Sequence, residues 1–163
     1  RRHAVHHFFE PLLTHHDRER FQVHLYSDTA ETDGVTDRLM GLADHWLDTR
    51  ALDDDALAEH IRQDGIDVLV DLAGHTKGNR LGVFARRPAP LQLGWLGYPG
   101  HPGLEAIDGQ LVDRLTMEPL AESSAAQGLI ALDGPFACFQ PADHAAWISV
   151  ILSVATAGGS TPL

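Results

Sequence analysis

Apolar and polar positions along the chain follow two periods, and the longer one, of about 3.6 residues, is typical of amphipathic helices. The helices predicted from it cover residues 4–15, 33–43, 52–64 and 79–87. Asp33 precedes the second helix as a plausible N-cap, and Asp53 or Asp54 does so for the third. Gly65 follows the third helix, where a glycine commonly ends a helix. Helix ends as well as helix faces are therefore encoded in the pattern.

Short apolar or alternating runs between these helices predict strands. The predicted strands cover residues 21–27, 45–49, 66–72, 91–96, 110–113 and 128–132. Residues 66–72 and 91–96 lack the polar alternation of a strand with one solvated face, so we predict neighbouring central strands buried on both faces. Residues 45–49 are predicted to be an edge strand. Strands and helices alternating at intervals of about 20 to 25 residues predict an α/β fold, a doubly wound, Rossmann-like parallel sheet with flanking helices.

Length and charge restrict the class of protein. The 163 residues are enough for one domain or part of a larger one. A net charge of −11 repels nucleic-acid phosphates and anionic lipids, so we expect neither nucleic acid nor membrane as a partner. No stretch approaches the ~18 apolar residues of a membrane helix, and histidines interrupt the apolar start of the chain, so no signal peptide is expected. The single cysteine, Cys138, suits a reducing compartment, and we expect a cytoplasmic location.

Sheets of this class bind ligands at the carboxyl ends of their strands. The loops behind Tyr26, Leu72 and Leu96 read SDT, AGHTKGNR and GYPGHPG. In the second loop, glycine N–H groups beside Lys77 and Arg80 could hold an anionic group, and a plain βα connection is an equally good interpretation. Asp71, inside the preceding strand, is either a catalytic carboxylate or a buried one that is hydrogen-bonded to nearby backbone.

Motifs of several other enzyme classes are missing from the sequence: GxGxxG, GxxxxGK[ST], GxSxG and HExxH. Eleven residues are histidines, and His3 and His7 are spaced to share one face of a helix. No third ligand accompanies that pair, so we predict no metal site and no bound cofactor. An imidazole can accept a hydroxyl proton at neutral pH, which leaves a general-base role open for one histidine.

Three segments in series, DGIDVLVDLAGHT, FARRPAP and WLGYPG, resemble the O-linked N-acetylglucosamine transferase family, also called SPINDLY-like or glycosyltransferase family 41. The resemblance covers roughly residues 1–141 and matches the amino-terminal part of the family's catalytic region. It implies one lobe of a GT-B glycosyltransferase. Such an enzyme moves a sugar, usually N-acetylglucosamine, from a UDP-sugar donor to a Ser or Thr hydroxyl of an acceptor protein, with inversion and without a metal.

The resemblance also implies which residues line the cleft. His3 matches the histidine that opens a His-Pro-Val-like motif, although Ala4 stands where many members have proline. His75 and Thr76 match a cleft loop, with Asp71 behind them. We take His3 and His75 as candidate catalytic residues. The candidate substrate-binding residues are Asp71, Thr76, Lys77, Gly97, Tyr98 and Gly100.

The sequence departs from the family in three places. In the family, a first sheet strand comes just before the position of Arg1, and a second lobe holds the UDP pyrophosphate. We expect both to be missing from this chain. Residues 142–163 do not resemble the family, so we expect an incomplete amino-terminal lobe at 1–141, an atypical tail and no activity for this part alone. The alternative is a non-catalytic α/β binding or interaction domain, in which an apolar patch at residues 147–154 drives oligomerisation.

Overall fold

A computed structural model describes residues 5–30, 33–97, 102–115, 128–135 and 137. The candidate residues His3, Tyr98 and Gly100, and the apolar patch at residues 147–154, lie outside these ranges. No helix within the ranges combines the length and the apolar content that crossing a bilayer requires.

Helices and strands occur where the sequence predicts them, with most strands shorter than predicted. The helices are α1 (His6–His15), α2 (Gly34–Leu42), α3 (Asp54–Gln63) and α4 (Leu81–Ala85). The strands are β1 (His24–Ser27), β2 (His45–Asp48), β3 (Val68–Asp71), β4 (Leu91–Gly94), β5 (Gly109–Asp113) and β6 (Leu129–Leu132). Asp33 caps α2 by accepting hydrogen bonds from two backbone N–H groups, and Asp53, not Asp54, caps α3. Gly65 ends α3 with a φ of +66°.

All the strand pairs described are parallel, which confirms the predicted class of sheet. One sheet pairs β1 with β2, and the other has the order β3-β4-β5-β6. Within the second sheet, Val68 pairs with Leu91 and Asp71 pairs with Gly94, so the carboxyl ends of β3 and β4 lie side by side. Among the described strands no backbone ladder connects β1 to β3. Contacts between side chains must therefore connect the two sheets.

The hydrophobic core is one such connection. Its buried members come from α3, β3, α4 and the segments around them: Leu57, Ala58, Ile61, Leu69, Val83, Phe84, Ala89 and Ile107. Tyr26 of β1 packs against this cluster from the two-stranded sheet. Helix α1 contacts the residue that follows β4. The ring of Phe9 packs edge to face on the ring of Trp95, with 6.4 Å between the ring centroids.

The prediction that β3 is a central strand buried on both faces is wrong. It lies at the edge of its sheet in the described part, while β4 lies between β3 and β5. Val68 is 47% exposed and Val70 is 37% exposed, whereas Leu69 between them is buried. Because side chains alternate between the faces of a strand, the core covers the face of β3 that bears Leu69 and leaves the valine face half open. β2, with β1 as its single partner among the described strands, is the edge strand predicted.

Candidate functional site

Three loops meet at the carboxyl ends of the strands, as the sequence predicts. Asp28, after β1, binds the side chain of Arg80, which lies in the loop after β3. His75, in the same loop after β3, contacts the carbonyl of Pro102 in the segment after β4 at 2.7 Å. These contacts bring Asp28 of the SDT segment, the AGHTKGNR loop and Pro102 together at one edge of the fold.

Asp71 fixes the start of the loop that carries His75. Its carboxylate accepts hydrogen bonds from the backbone N–H groups of Ala73, at 3.0 Å, and Gly74, at 2.8 Å. The residue is only 7% exposed. Of the two interpretations from sequence, the structure supports the buried, hydrogen-bonded carboxylate, because both of its oxygens bind the loop backbone. Direct binding of substrate by Asp71 stays a prediction.

His75 is exposed, and the contact with Pro102 determines its tautomer. The atom 2.7 Å from the carbonyl oxygen is Nε2. A carbonyl can only accept a hydrogen bond, so Nε2 is the donor and carries the proton. In the neutral ring the lone pair is then on Nδ1. The geometry is compatible with a general base, and the role itself stays a prediction.

Thr76 and Lys77 follow on the same exposed loop. The Thr76 hydroxyl donates to the carbonyl of Ala73 at 2.8 Å, and the Asn79 amide donates to the carbonyl of Thr76 at 3.0 Å, so the loop is a compact turn. Lys77 is the single lysine of the chain. It makes no hydrogen bond or ion pair within the part of the chain that the structure describes.

Gly97 lies where the loop after β4 crosses the loop after β3. A Cβ at position 97 would overlap the carbonyl oxygen of Leu72 and lie 3.4 Å from the Cα of Ala73. The preceding residue, Leu96, has a φ of +62°, in the left-handed region that a leucine rarely adopts. A glycine is required here because the two backbones approach each other too closely for a side chain.

Arg80 is the residue of this site whose role sequence reasoning missed. Its Nε and Nη2 bind the carboxylate of Asp28 at 2.5 and 2.8 Å, and its Nη1 binds Asp54 at 3.0 Å. Nη2 also donates to the backbone carbonyls of Thr49 and Leu52, at 3.1 and 3.0 Å. The proposed role of Arg80 in holding an external anion is therefore not supported, because carboxylates of the chain itself occupy the guanidinium. Partners up to 52 residues away leave no local sequence pattern.

The charges at this edge are largely paired within the protein. The hydrogen bond from Arg80 holds the pKa of Asp28 below its usual value, although partial burial opposes the shift, and the Thr49 hydroxyl adds to the lowering. Arg50 lowers the pKa of Asp48 to about 2 in the same way. Among the described residues at this edge, Lys77 is the cation that remains available to an anionic ligand.

These residues border an open groove of about 580 Å³. Its lining consists of Asp28, Ala30, Arg50, Asp54 and residues 77–80. Lys77 lines the groove, whereas His75, two residues earlier in the same loop, is not among the lining residues.

A second polar cluster lies at the amino end of β1 and contains none of the predicted site residues. It surrounds a cavity of about 160 Å³, with His24, His45 and His60 in the wall. The Tyr26 hydroxyl donates to Asp64 at 2.6 Å, and burial together with this carboxylate raises the pKa of Tyr26. Within the described ranges, no three histidine, cysteine, aspartate or glutamate side chains are placed to hold a metal ion.

Replacing Gly97 with alanine should destabilise the fold by about 1–3 kcal/mol, because the new methyl group forces the two loops apart. Gly41→Ala, inside α2 with no atom within 4 Å of the added carbon, is the matched control. That change should stabilise the protein by about 0.5–1 kcal/mol, because alanine favours a helix. Urea unfolding of both variants measures the difference, and equal effects would contradict the close crossing at Gly97.

The free energy of unfolding should fall as the pH drops from 5 to 3. Asp28 has its pKa lowered in the folded protein from the ordinary value of 3.8. Its contribution is therefore present above that value and is lost as the pH falls through the lower, folded-state pKa. Asp28→Asn should flatten this part of the urea-unfolding profile. Asp133→Asn, at a side chain that is 96% exposed, is the control that should not. Parallel profiles for Asp28→Asn and the wild type would refute the coupling.

Comparison with known proteins identifies the family. The profile of glycosyl transferase family 41 matches residues 1–146. SPINDLY of Arabidopsis thaliana, named "Probable UDP-N-acetylglucosamine--peptide N-acetylglucosaminyltransferase", is 37% identical over 147 residues, which are 88% of this chain and 16% of that protein. The UDP-N-acetylglucosamine–peptide N-acetylglucosaminyltransferase of Caenorhabditis elegans is 37% identical over 126 residues, 76% of this chain and 11% of that protein.

A solved structure agrees with the sequence comparisons. A mutant O-GlcNAc transferase from Thermobaculum terrenum superimposes with a TM-score of 0.81 at 38% identity, over 91% of this chain and 29% of that one. The match confirms the α/β lobe of GT-B type expected from the sequence. The chain spans about a sixth of the length of the SPINDLY relative. On the extent of the profile match and on these identities, the chain belongs to glycosyl transferase family 41.

Proposed function

We propose that the chain is the acceptor-side lobe of an enzyme that transfers N-acetylglucosamine from a UDP-sugar to a Ser or Thr hydroxyl of a protein. The observation that carries the proposal is the structural likeness to an O-GlcNAc transferase over 91% of the chain. The relatives' names supply the donor and the type of acceptor. The convergence of three loops at the carboxyl ends of the strands supports a site in this lobe, because sheets of this class bind ligands there.

The reaction would be a single displacement with inversion. The acceptor hydroxyl oxygen attacks the anomeric carbon of the sugar, the bond from that carbon to the UDP oxygen breaks, and UDP leaves with the bonding electrons. The hydroxyl proton passes to a general base. His75, whose Nε2 donates to the carbonyl of Pro102, is the proposed base. His3 is the alternative base.

The departing UDP needs positive charge that the described residues supply poorly. Arg80 is paired with Asp28 and Asp54, and Arg50 is paired with Asp48. Lys77 alone is a weak substitute for a set of preorganised donors, since the loss of one such donor costs about 10²–10³-fold in rate. We propose that other parts of the longer enzyme stabilise UDP. We also propose that it works in the cytoplasm without a metal or resident cofactor.

The alternative, a non-catalytic interaction domain, draws support from the half-exposed valine face of β3. Val68 pairs with Leu91 of β4, which is also exposed, whereas Val70 pairs with the buried Leu93. An apolar face of this kind suits a protein partner. Binding of a UDP-sugar that Lys77→Ala weakens would favour the transferase. Self-association without any such binding would favour the interaction domain.

The isolated chain should show no measurable transfer, because most charge stabilisation of UDP is lacking. The assay uses the purified chain, radiolabelled UDP-N-acetylglucosamine and a Ser/Thr peptide, with a full-length O-GlcNAc transferase as positive control. Incorporation of label that His3→Ala or His75→Ala abolishes would show that this lobe is sufficient, and the proposal of an incomplete site would then be wrong.

A further inference from the structure

We propose that Arg80 is a positioning residue of this site, which sets the place of the loop bearing His75 and Lys77 by clamping it to the end of β1. The effect of the loop's position on catalysis rests on the proposed function. The clamp itself can be tested without it.

Other contacts hold the earlier part of the loop. Asp71 holds its first residues, and His75 touches Pro102 in the middle. The hydrogen bonds of the Thr76 hydroxyl and the Asn79 amide stay inside the loop. Arg80 is the anchor at the far end, and the residues that it contacts are 26 to 52 positions away.

Glycines on both sides make the middle of the loop depend on these anchors. Gly74 has a φ of +53° and Gly78 a φ of +83°, so His75 and Lys77 lie between two backbone positions of high conformational freedom. No atom lies within 4 Å of the place where a Cβ on Gly78 would be. The space beside Gly78 is therefore open, and Arg80, two residues further along, links this end of the loop to Asp28 and Asp54 through its side chain.

The charge pairing of Arg80 indicates positioning, not substrate binding. Its side chain is 27% exposed and its donors are directed to two carboxylates and two backbone carbonyls. Asp28 also accepts a hydrogen bond from the Thr49 hydroxyl at 2.8 Å. A lysine at position 80 would keep the charge but would lack the planar fork that reaches several acceptors at once.

Arg86 provides a matched control. It binds Asp55 through Nε at 2.5 Å and Nη2 at 3.0 Å, and Nη1 donates to the carbonyl of Gly82 at 2.7 Å. Arg86 therefore binds one aspartate through two nitrogens, as Arg80 does, but its aspartate lies in α3 and not after β1. It lies at the opposite end of α4 and does not line the groove.

The experiment compares Arg80→Gln, Arg80→Lys, Asp28→Asn and Arg86→Gln in the full chain by NMR. Reductive ¹³C-methylation labels Lys77, the single lysine, and keeps its charge; the amino terminus gives a separate signal. The second readout is hydrogen exchange at the amides of Thr76 and Asn79, which donate within the loop. The Leu57 amide in α3 is the reference.

Arg80→Gln and Arg80→Lys should shift the Lys77 methyl signal and the His75 ring signal. They should also speed exchange at Thr76 and Asn79 about 10-fold or more relative to Leu57, the size expected when charged hydrogen bonds to a local unit are lost. Asp28→Asn should produce the same changes to a smaller degree, because the Asp54 contact survives. Arg86→Gln should leave these signals unchanged.

Exchange that rises equally at Thr76, Asn79 and Leu57 would overturn the proposal, because it would reveal a general loss of stability. So would loop signals unchanged in every variant that folds. If both Arg80 variants unfold, Asp28→Asn decides between the same outcomes. If a longer enzyme that contains this lobe did not transfer N-acetylglucosamine from the UDP-sugar, that result would count against the proposed function and would leave the result on the loop intact.

Discussion

The Arg80 guanidinium connects two parallel sheets that no backbone ladder joins in the described part of the chain. From the loop after β3 it reaches Asp28 at the end of β1, Asp54 at the start of α3, and two carbonyls between β2 and α3. Removing one partner from a partly buried ion pair leaves the others without compensation, which costs more than the pair contributes when it is intact. The carboxyl edge of the fold, where the candidate site lies, depends on this connection.

Backbone contacts determine the shape of the candidate site. The carboxylate of Asp71 accepts hydrogen bonds from two backbone N–H groups. Gly97 allows the loops after β3 and β4 to cross more closely than any side chain would permit. The contact with Pro102 then fixes which nitrogen of His75 carries a proton. Arg80 and Arg50 are paired at this edge, and Lys77 is the cation among its described residues that is not. Under the proposed function, this lobe would orient the acceptor, and groups elsewhere in the longer enzyme would balance the charge on the leaving UDP.

Local patterns were sufficient to predict the helices, the strands and the three loops that converge. The N-caps at Asp33 and Asp53 and the stop at Gly65 depend on neighbours within three residues, so a single sequence contains them. The exposure of β3 could not be predicted in this way. An apolar run is compatible with burial of one face or of both, and the sequence does not show which face is covered. The partners of Arg80 were equally inaccessible, since an ion pair across 52 residues is determined by topology.

A double-mutant cycle on Arg80→Gln and Asp28→Asn tests the central claim most directly. The free energies of unfolding of the wild type, the two single variants and the double variant are measured with urea at pH 7. A clamp between the sheets predicts a coupling free energy of at least about 1.5 kcal/mol, as for hydrogen-bonded charged groups in direct contact. A coupling below about 0.5 kcal/mol, the level of an exposed surface pair, would contradict the claim that this guanidinium holds the site together.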